Sequence, residues 1–212
     1  MDPPIVEWLA SYVPHRPIIH HHVGGRGKTM PLHFSGSRVF FYDADPYVGY
    51  GGIMPYCLGA RRGDARLYIT ANPYASSLHQ PDPSIFDYFS LETSETYREM
   101  LRVDKTLVVG MWPLDEVIEK DGLPWPDVLS LDTQGSELDV LKGASKALET
   151  VEVIVCEVEY VPMYFSQPLV GEVTAWLKVA GFKCRGPLEE HFIQRGNESP
   201  VLGFADLIFT RH

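Results

Sequence analysis

The chain has 212 residues, of which 45% are hydrophobic and 22% charged, a composition typical of folded globular proteins and not of disordered ones. Its formal net charge of -10 at pH 7 repels phosphate backbones and argues against a nucleic-acid partner. The three cysteines are widely separated, which argues against a disulfide framework and favours a reducing, cytoplasmic environment. No stretch reaches the length of about eighteen apolar residues that a membrane helix needs.

Short apolar runs recur along the whole chain and predict β-strands. In chain order we expect them at residues 17–23, 38–43, 65–70, 106–112, 127–132, 151–159 and 204–211. The runs at 127–132 and 151–159 are apolar almost throughout, as expected for central parallel strands that are covered on both faces.

Amphipathic segments between these strands predict helices. Residues 136–149 and 169–180 carry apolar side chains at helical spacing, with Gly143 as a possible break in the first and Gly181 at the end of the second. Alternating strands and helices predict an α/β domain with an open, mostly parallel sheet. We expect this domain to span residues 18–212 and residues 1–17 to form an extension.

Glycines and polar residues follow several of the predicted strands. They are Gly24, Gly25 and Gly27 after the first strand, Asp43 and Asp45 after the second, Ser76 and Ser77 after the third, Asp132 and Gln134 after the strand at 127–132, and Glu157 and Glu159 at the end of the next. Because open α/β sheets bind ligands outside the carboxyl ends of their strands, we expect these residues to meet at one cleft. Acids crowded there would repel one another unless a cationic ligand or a metal ion relieved the repulsion.

The segment "DVLSLDTQGSELDVLKGASKAL", residues 127–148, closely resembles the signature of the FkbM family of S-adenosylmethionine-dependent methyltransferases. In that signature an apolar strand ends in Asp-x-Gln-Gly-x-Glu, and Leu-x-x-Leu-Lys-Gly-Ala follows. The segments "VFFYDADP", "NPYASSL" and "IVCEVEYVPMY" are also similar to family features. The resemblance implies a Rossmann-like class I methyltransferase fold, with helices on both faces of a seven-stranded, mostly parallel sheet whose last strand is antiparallel. It also implies O-methylation of a sugar or another small molecule.

The resemblance and the strand ends together suggest a role for each candidate. The glycines would let the backbone approach S-adenosylmethionine closely, and Asp43 would accept hydrogen bonds from its ribose hydroxyls. Asp45, Ser76, Ser77 and Gln134 are further cofactor candidates. Asp132 would contact the ammonium group of the cofactor or the acceptor hydroxyl. Glu157 and Glu159 point to the same face of their strand, so that either could be the general base.

Several of these residues also have purely structural interpretations. Asp43 and Asp45 precede Pro46 and could shape a turn, and Asp132 could satisfy free amides at a helix start. Glu137 and Asp139 are assigned to the first turn of the helix, where the helix dipole favours acids. Glu157 and Glu159 could instead be solvated or paired with a lysine or arginine.

The end of the first strand departs from the family pattern, in which many members carry an acid and a longer glycine-rich stretch where this chain reads His22 and "VGGRGK". It carries "HHH" at residues 20–22, of which only His20 and His22 share a face; we expect these rings to pack along the strand and not to hold a metal ion. The positively charged Arg26 and Lys28 follow, and two cations would weaken the binding of a sulfonium unless they point away. The second hypothesis is therefore a binding or scaffold protein that kept the fold and lost the cofactor.

A third interpretation, a nucleotide-dependent enzyme such as a reductase, requires a Gly-x-Gly-x-x-Gly or phosphate-loop spacing that "GGRGKT" does not supply. The need for a divalent metal, the oligomeric state and the identity of the acceptor are left open by the sequence.

Overall fold

A computed structural model describes residues 16–27, 37–48, 52–84, 96–194 and 197–211 of this chain. Its strands are β1 (Ile19–Gly24), β2 (Arg38–Tyr42), β3 (Ile53–Met54), β4 (Cys57–Leu58), β5 (Gly63–Thr70), β6 (Val103–Trp112), β7 (Val128–Asp132), β8 (Val153–Glu159), β9 (Lys183–Ile193) and β10 (Val201–Thr210). The α-helices are α1 (Tyr97–Met100), α2 (Leu114–Asp121), α3 (Glu137–Lys142), α4 (Ala147–Thr150) and α5 (Val170–Val179). Single 3-10 turns lie at Gly25–Gly27 and Pro73–Ala75.

The central sheet of the described residues has seven strands in the order β3-β2-β1-β7-β8-β10-β9. The strands from β3 to β8 are parallel, whereas β10 is antiparallel to both of its neighbours, β8 and β9. The predicted α/β class and mostly parallel sheet are confirmed, although the sheet is mixed. The strand order reverses between β1 and β7, because β2 and β3 lie on one side of β1 and β7 and β8 on the other. Such a reversal opens a crevice at the carboxyl ends of the two strands.

A second, three-stranded sheet has the order β4-β6-β5. It contains the runs at 65–70 and 106–112, so the prediction that all the strands belong to one sheet was wrong. The reason lies in their burial: β5 and β6 are largely exposed, with Leu67 the buried hydrophobic residue of β5. Antiparallel strands with one solvated face have this pattern, whereas central parallel strands do not.

The hydrophobic core lies on β7 and β8 and on the helices that pack against them. Val173 and Leu177 of α5 are buried in this core, and Leu138 and Leu141 of α3 belong to the same cluster. The helical segment predicted at 136–149 is divided at Gly143, as the sequence suggested. A Cβ atom there would lie 2.1 Å from the carbonyl oxygen of Gly59, so only glycine permits this close approach.

The described residues contain no helix that is both long and apolar enough to span a membrane. Residues 1–15 lie outside the described part of the chain, and the predicted domain boundary near residue 17 stays a prediction.

Candidate active site

A cleft of about 560 Å³, including space open to solvent, lies at the carboxyl ends of β1, β2 and β7. The predicted residues that line it are Gly24, Gly25, Asp43, Asp45, Ser76, Ser77, Asp132 and Gln134. Gly27, Glu157 and Glu159 are not among the lining residues. Further lining residues that the sequence did not single out include Tyr56, Cys57, Tyr74, Thr133 and Ser136.

The end of β1 lines the cleft. Its two glycines allow the backbone to pack closely against the end of β7. Gly24 and Gly25 have φ values of 88° and 60°, in the left-handed region that favours glycine. A Cβ atom on Gly24 would lie 1.8 Å from the carbonyl oxygen of Asp132. One on Gly25 would lie 2.9 Å from both Asp132 Oδ2 and His22 Nε2. Side chains at these two positions would therefore displace Asp132.

The acids that follow β2 differ in how they are held. Asp43 Oδ1 accepts a hydrogen bond from the amide of Asp45 at 2.8 Å. Burial raises the pKa of Asp43, while the Asp45 amide and the positive charge of Arg26 oppose this rise. Both carboxylate oxygens of Asp45 are engaged, one by Arg26 Nη1 at 2.9 Å and the other by the Tyr47 amide at 2.9 Å. Asp45 therefore orders the loop, and both acids line the cleft.

Arg26, one of the two cations that follow the first strand, is paired with a nearby acid. Arg26 forms a partly buried ion pair with Asp45. Its charge is therefore balanced at the rim of the cleft. Lys28 lies outside the described residues.

The turn after β7 is organised around Gln134. Its backbone has a φ of 55°, which is uncommon outside glycine. Its side-chain Nε2 donates to Asp132 Oδ1 at 2.9 Å and to Glu157 Oε2. Ser77 Oγ donates to the Gln134 carbonyl oxygen at 2.6 Å, which joins the loop at 73–78 to this turn. Tyr164, which ends the segment "IVCEVEYVPMY" but was not among the predicted site residues, also contacts the Gln134 side chain.

The Glu137 carboxylate stabilises the same turn through hydrogen bonds. It accepts them from the Thr133 amide at 2.7 Å, the Thr133 hydroxyl at 2.9 Å and the Gly135 amide at 3.0 Å. Burial raises the pKa of Glu137 to about 7, and these hydrogen bonds oppose the rise. The helix-start assignment of Glu137 is thus only part of its role, since it also fixes the loop that carries Asp132.

Ser136 occupies the N-cap position of α3, but its side chain forms no capping bond with the described residues. Its Oγ is buried and has no hydrogen-bond partner among the described residues. Ser136 also lines the cleft, so that this hydroxyl is a candidate contact for a ligand.

Glu157 and Glu159 lie behind the cleft and are buried, with 8% and 1% of their surface exposed. Burial, followed by the negative charges of Asp132 and Glu159, raises the pKa of Glu157 well above its usual range. Burial and the charge of Glu137 do the same for Glu159. Of the three acids predicted to be catalytic, only Asp132 lines the cleft, and Glu157 reaches it through Gln134.

The three histidines of β1 are hydrogen-bonded in the core. His20 Nε2 and His22 Nδ1 lie 2.6 Å and 2.7 Å from Ser130 Oγ. His21 contacts the Pro124 carbonyl oxygen at 3.0 Å, and burial lowers the pKa of His21 to about 4. These contacts run from the first strand to Ser130 of β7 and to Pro124, so the rings are held between elements and not along β1 alone.

The family model described as the methyltransferase FkbM domain matches residues 31–184, and the chain belongs to the FkbM methyltransferase family. A relative, the hexuronic acid methyltransferase AglP of Haloferax volcanii, is 41% identical over 44 residues. That match covers 21% of this chain and only 18% of AglP. A solved structure, magnesium protoporphyrin IX methyltransferase (ChlM) of Synechocystis PCC 6803 with bound SAM, is similar with a TM-score of 0.40 and 11% identity. The similarity covers 98% of this chain and 76% of ChlM.

Proposed function

We propose that this protein transfers a methyl group from S-adenosylmethionine to a hydroxyl group of a sugar or another small molecule, on a Rossmann-like class I methyltransferase fold with helices on both faces of the sheet. One observation carries the proposal. In a chain of the FkbM family, Gly24 and Gly25, Asp43, and Asp132 come from three adjacent strands and meet in the cleft where the strand order reverses.

The residues of the cleft fit S-adenosylmethionine. Gly24 and Gly25 line the cleft and carry no side chain that could obstruct a ligand. The space a Cβ atom would take is already filled by Asp132 at Gly24 and by Asp132 and His22 at Gly25, which keeps the acid beside the cleft. Asp43 supplies a carboxylate at the end of the second strand, where Rossmann-like sites hold ribose hydroxyls. The buried Oγ of Ser136 offers a hydroxyl that needs a partner. These residues would hold the cofactor, with Asp43 on its ribose.

When bound, S-adenosylmethionine supplies a methyl group on a positively charged sulfur. The chain contributes position and charge, and positioning is the main source of rate in such a displacement. We assign to Asp132 the contact with the acceptor hydroxyl, whose proton its carboxylate would take. The sulfur–methyl bond of the cofactor would break as the oxygen–carbon bond forms, and neutral S-adenosylhomocysteine would leave. Gln134 fixes the orientation of Asp132, and Glu157 holds Gln134 from behind as a positioning residue.

The second hypothesis, a scaffold that lost its cofactor, depended on an uncompensated positive charge at the end of β1. The ion pair between Arg26 and Asp45 removes that argument for Arg26. The relation to AglP, whose name specifies a hexuronic acid, favours sugars among the hydroxylated acceptors.

The proposal is tested by incubating the protein with methyl-labelled S-adenosylmethionine and a panel of hexuronic acids, neutral sugars and other hydroxylated small molecules. We expect label in an alkali-stable methyl ether. The isosteric Asp132→Asn should lower the rate by about 10²–10⁴-fold, the usual contribution of a general base. Asp64→Asn, an exposed acid outside the cleft, is the matched control and should not change the rate. Cofactor binding without transfer to any acceptor would favour the binding-protein hypothesis.

A further inference from the structure

A row of acids crosses the central sheet on the side away from β1. Asp206 of β10 is the register partner of Glu157 on β8 and of Glu189 on β9. Within the described residues, none of the three forms an ion pair with a lysine or arginine. This row extends from the residue that holds Gln134 to the exposed edge strand of the sheet.

At the edge of the sheet this row meets a histidine. Single ligand atoms of Glu189, His191 and Asp206 all lie within 4.8 Å of one another. Residues 189 and 191 of a strand point to the same face, and the ring of His191 stacks on Phe204 at 4.4 Å between centroids with an interplanar angle of 13°. The stacking fixes the plane of the imidazole beside the two carboxylates.

Asp206 is the strongest indication that a ligand belongs here. Only 9% of its surface is exposed. Its carboxylate makes no hydrogen bond or ion pair with the described residues, and it is not among their fully enclosed unpaired groups, so it keeps some contact with solvent. Carboxylates buried to this degree are normally paired or coordinate a metal ion.

We propose that Glu189, His191 and Asp206 bind a divalent transition-metal ion. One imidazole nitrogen with two carboxylate oxygens suits Zn²⁺ or Mn²⁺, with water in the remaining positions. Bonds of about 2.0–2.2 Å place tetrahedral ligand atoms about 3.4 Å apart, so atoms that now lie up to 4.8 Å apart would move together by as much as about 1.4 Å. The side chains of Glu189 and His191 can make this movement because they are partly exposed. The site lies beyond residue 184, where the match to the family model ends, and it does not depend on the proposed methyl transfer.

Zn²⁺ and Mn²⁺ titrations of tag-free, chelator-treated protein by calorimetry, without S-adenosylmethionine, test this site. We expect one ion per chain and a rise in melting temperature on adding metal. Asp206→Asn and His191→Ala each remove one ligand of the metal ion. Each should weaken metal binding by at least about 10–100-fold, the loss that follows when a residue that only hydrogen-bonds to a ligand is removed. Glu190→Gln changes an exposed acid that lies between two of the ligands and points to the opposite face, and it should bind as the unmodified protein does.

Two further readouts separate a lost ligand from a damaged fold. Without metal, Asp206→Asn should melt at the same or a higher temperature than the unmodified protein, because a neutral amide is less costly to bury than an unpaired carboxylate. The electron paramagnetic resonance spectrum of bound Mn²⁺ should change from that of the free aqueous ion only when the ligands are intact. No binding at millimolar metal, or binding that Asp206→Asn and His191→Ala leave unchanged, would overturn the proposal.

Discussion

Asp132, the last residue of β7, and Glu157, near the end of the neighbouring strand β8, accept hydrogen bonds from the same atom, Nε2 of Gln134. An amide nitrogen carries two hydrogens and can serve two acceptors at once. It is also neutral, so it satisfies both carboxylates without adding a charge that would oppose a cationic ligand. The shared donor explains how Asp132 and Glu157 can lie close together although both are acids.

Gln134→Glu should disrupt this arrangement, because it replaces the shared donor with a third carboxylate. We expect about 1–3 kcal/mol lower stability, the cost of leaving buried polar groups unsatisfied, and a strong loss of any methyl-transfer rate. Denaturant unfolding and the labelled transfer assay measure the two effects. Gln80→Glu makes the same chemical change on an exposed side chain and should alter neither quantity. Equal effects of the two substitutions would show that Gln134 has no special role.

Gly25→Ala tests the end of β1 that lines the cleft. A left-handed φ costs an alanine about 1–2 kcal/mol, and the new Cβ would also press on Asp132 and His22. Gly122→Ala is a close control, because Gly122 has a φ of 63° and no described neighbour within 4 Å of a Cβ placed there. Both variants should lose stability, but only Gly25→Ala should weaken the binding of S-adenosylhomocysteine in a calorimetric titration. Intact binding by Gly25→Ala would contradict the proposed position of the cofactor.

Glu137 should make stability depend on pH. Its pKa is raised to about 7 in the folded protein, above the 4.5 of the unfolded chain, so its contribution is present in full below pH 4.5 and is lost as the pH rises through 7. The loss is about 3 kcal/mol at most, from 1.36 kcal/mol per unit. His21, whose folded pKa is lowered to about 4, acts in the opposite direction between pH 4 and 6.5.

The contribution of Glu137 is therefore isolated by comparing the unmodified protein with Glu137→Gln at each pH. Between pH 5 and 8 the unmodified protein should lose unfolding free energy relative to Glu137→Gln, because only the unmodified protein carries the titrating carboxyl. A difference that does not vary with pH would mean that Glu137 titrates normally in the folded protein.

Two buried tyrosines should respond differently to loss of the hydroxyl. Tyr164 donates to the Ala75 carbonyl oxygen at 2.8 Å, whereas the Tyr97 hydroxyl, in the same hydrophobic cluster, has no hydrogen-bond partner among the described residues. Tyr164→Phe should cost about 1–3 kcal/mol, because it leaves a buried carbonyl unsatisfied. Tyr97→Phe should be neutral or stabilising. Thermal unfolding of the two variants decides the matter, and a larger loss in Tyr97→Phe would contradict this hydrogen-bond pattern.

The central strands and the residues that end them were predictable from sequence. The apolar runs before Asp43 and Asp132 are long enough to mark buried strands, and the carboxyl ends of parallel strands converge by geometry. The segment at 127–148 also carried the family resemblance. Short strands such as β3 and β4 have too few residues to produce a period, and the polar edge strand β9 lacks an apolar signal.

Long-range contacts at the site could not be predicted. Ser77 and Tyr164 reach Gln134 from 57 and 30 positions away, and local sequence contains no information about such distances. Alternation predicts that Glu157 and Glu159 share a face of β8, but it could not show that neither of them lines the cleft. Their burial depends on how the sheet packs as a whole.

A calorimetric titration with S-adenosylmethionine and S-adenosylhomocysteine tests the central claim most directly when it is repeated on Asp43→Asn and Asp64→Asn. The asparagine side chain of the Asp43→Asn variant keeps an oxygen for the Asp45 amide, so the loop should remain folded. We predict one site per chain and about 10–100-fold weaker binding by Asp43→Asn, the loss expected for a charged hydrogen bond of about 1.5–3 kcal/mol. Asp64→Asn should bind as the unmodified protein does. No binding by the unmodified protein, or equal binding by all three proteins, would contradict a cofactor site in this cleft.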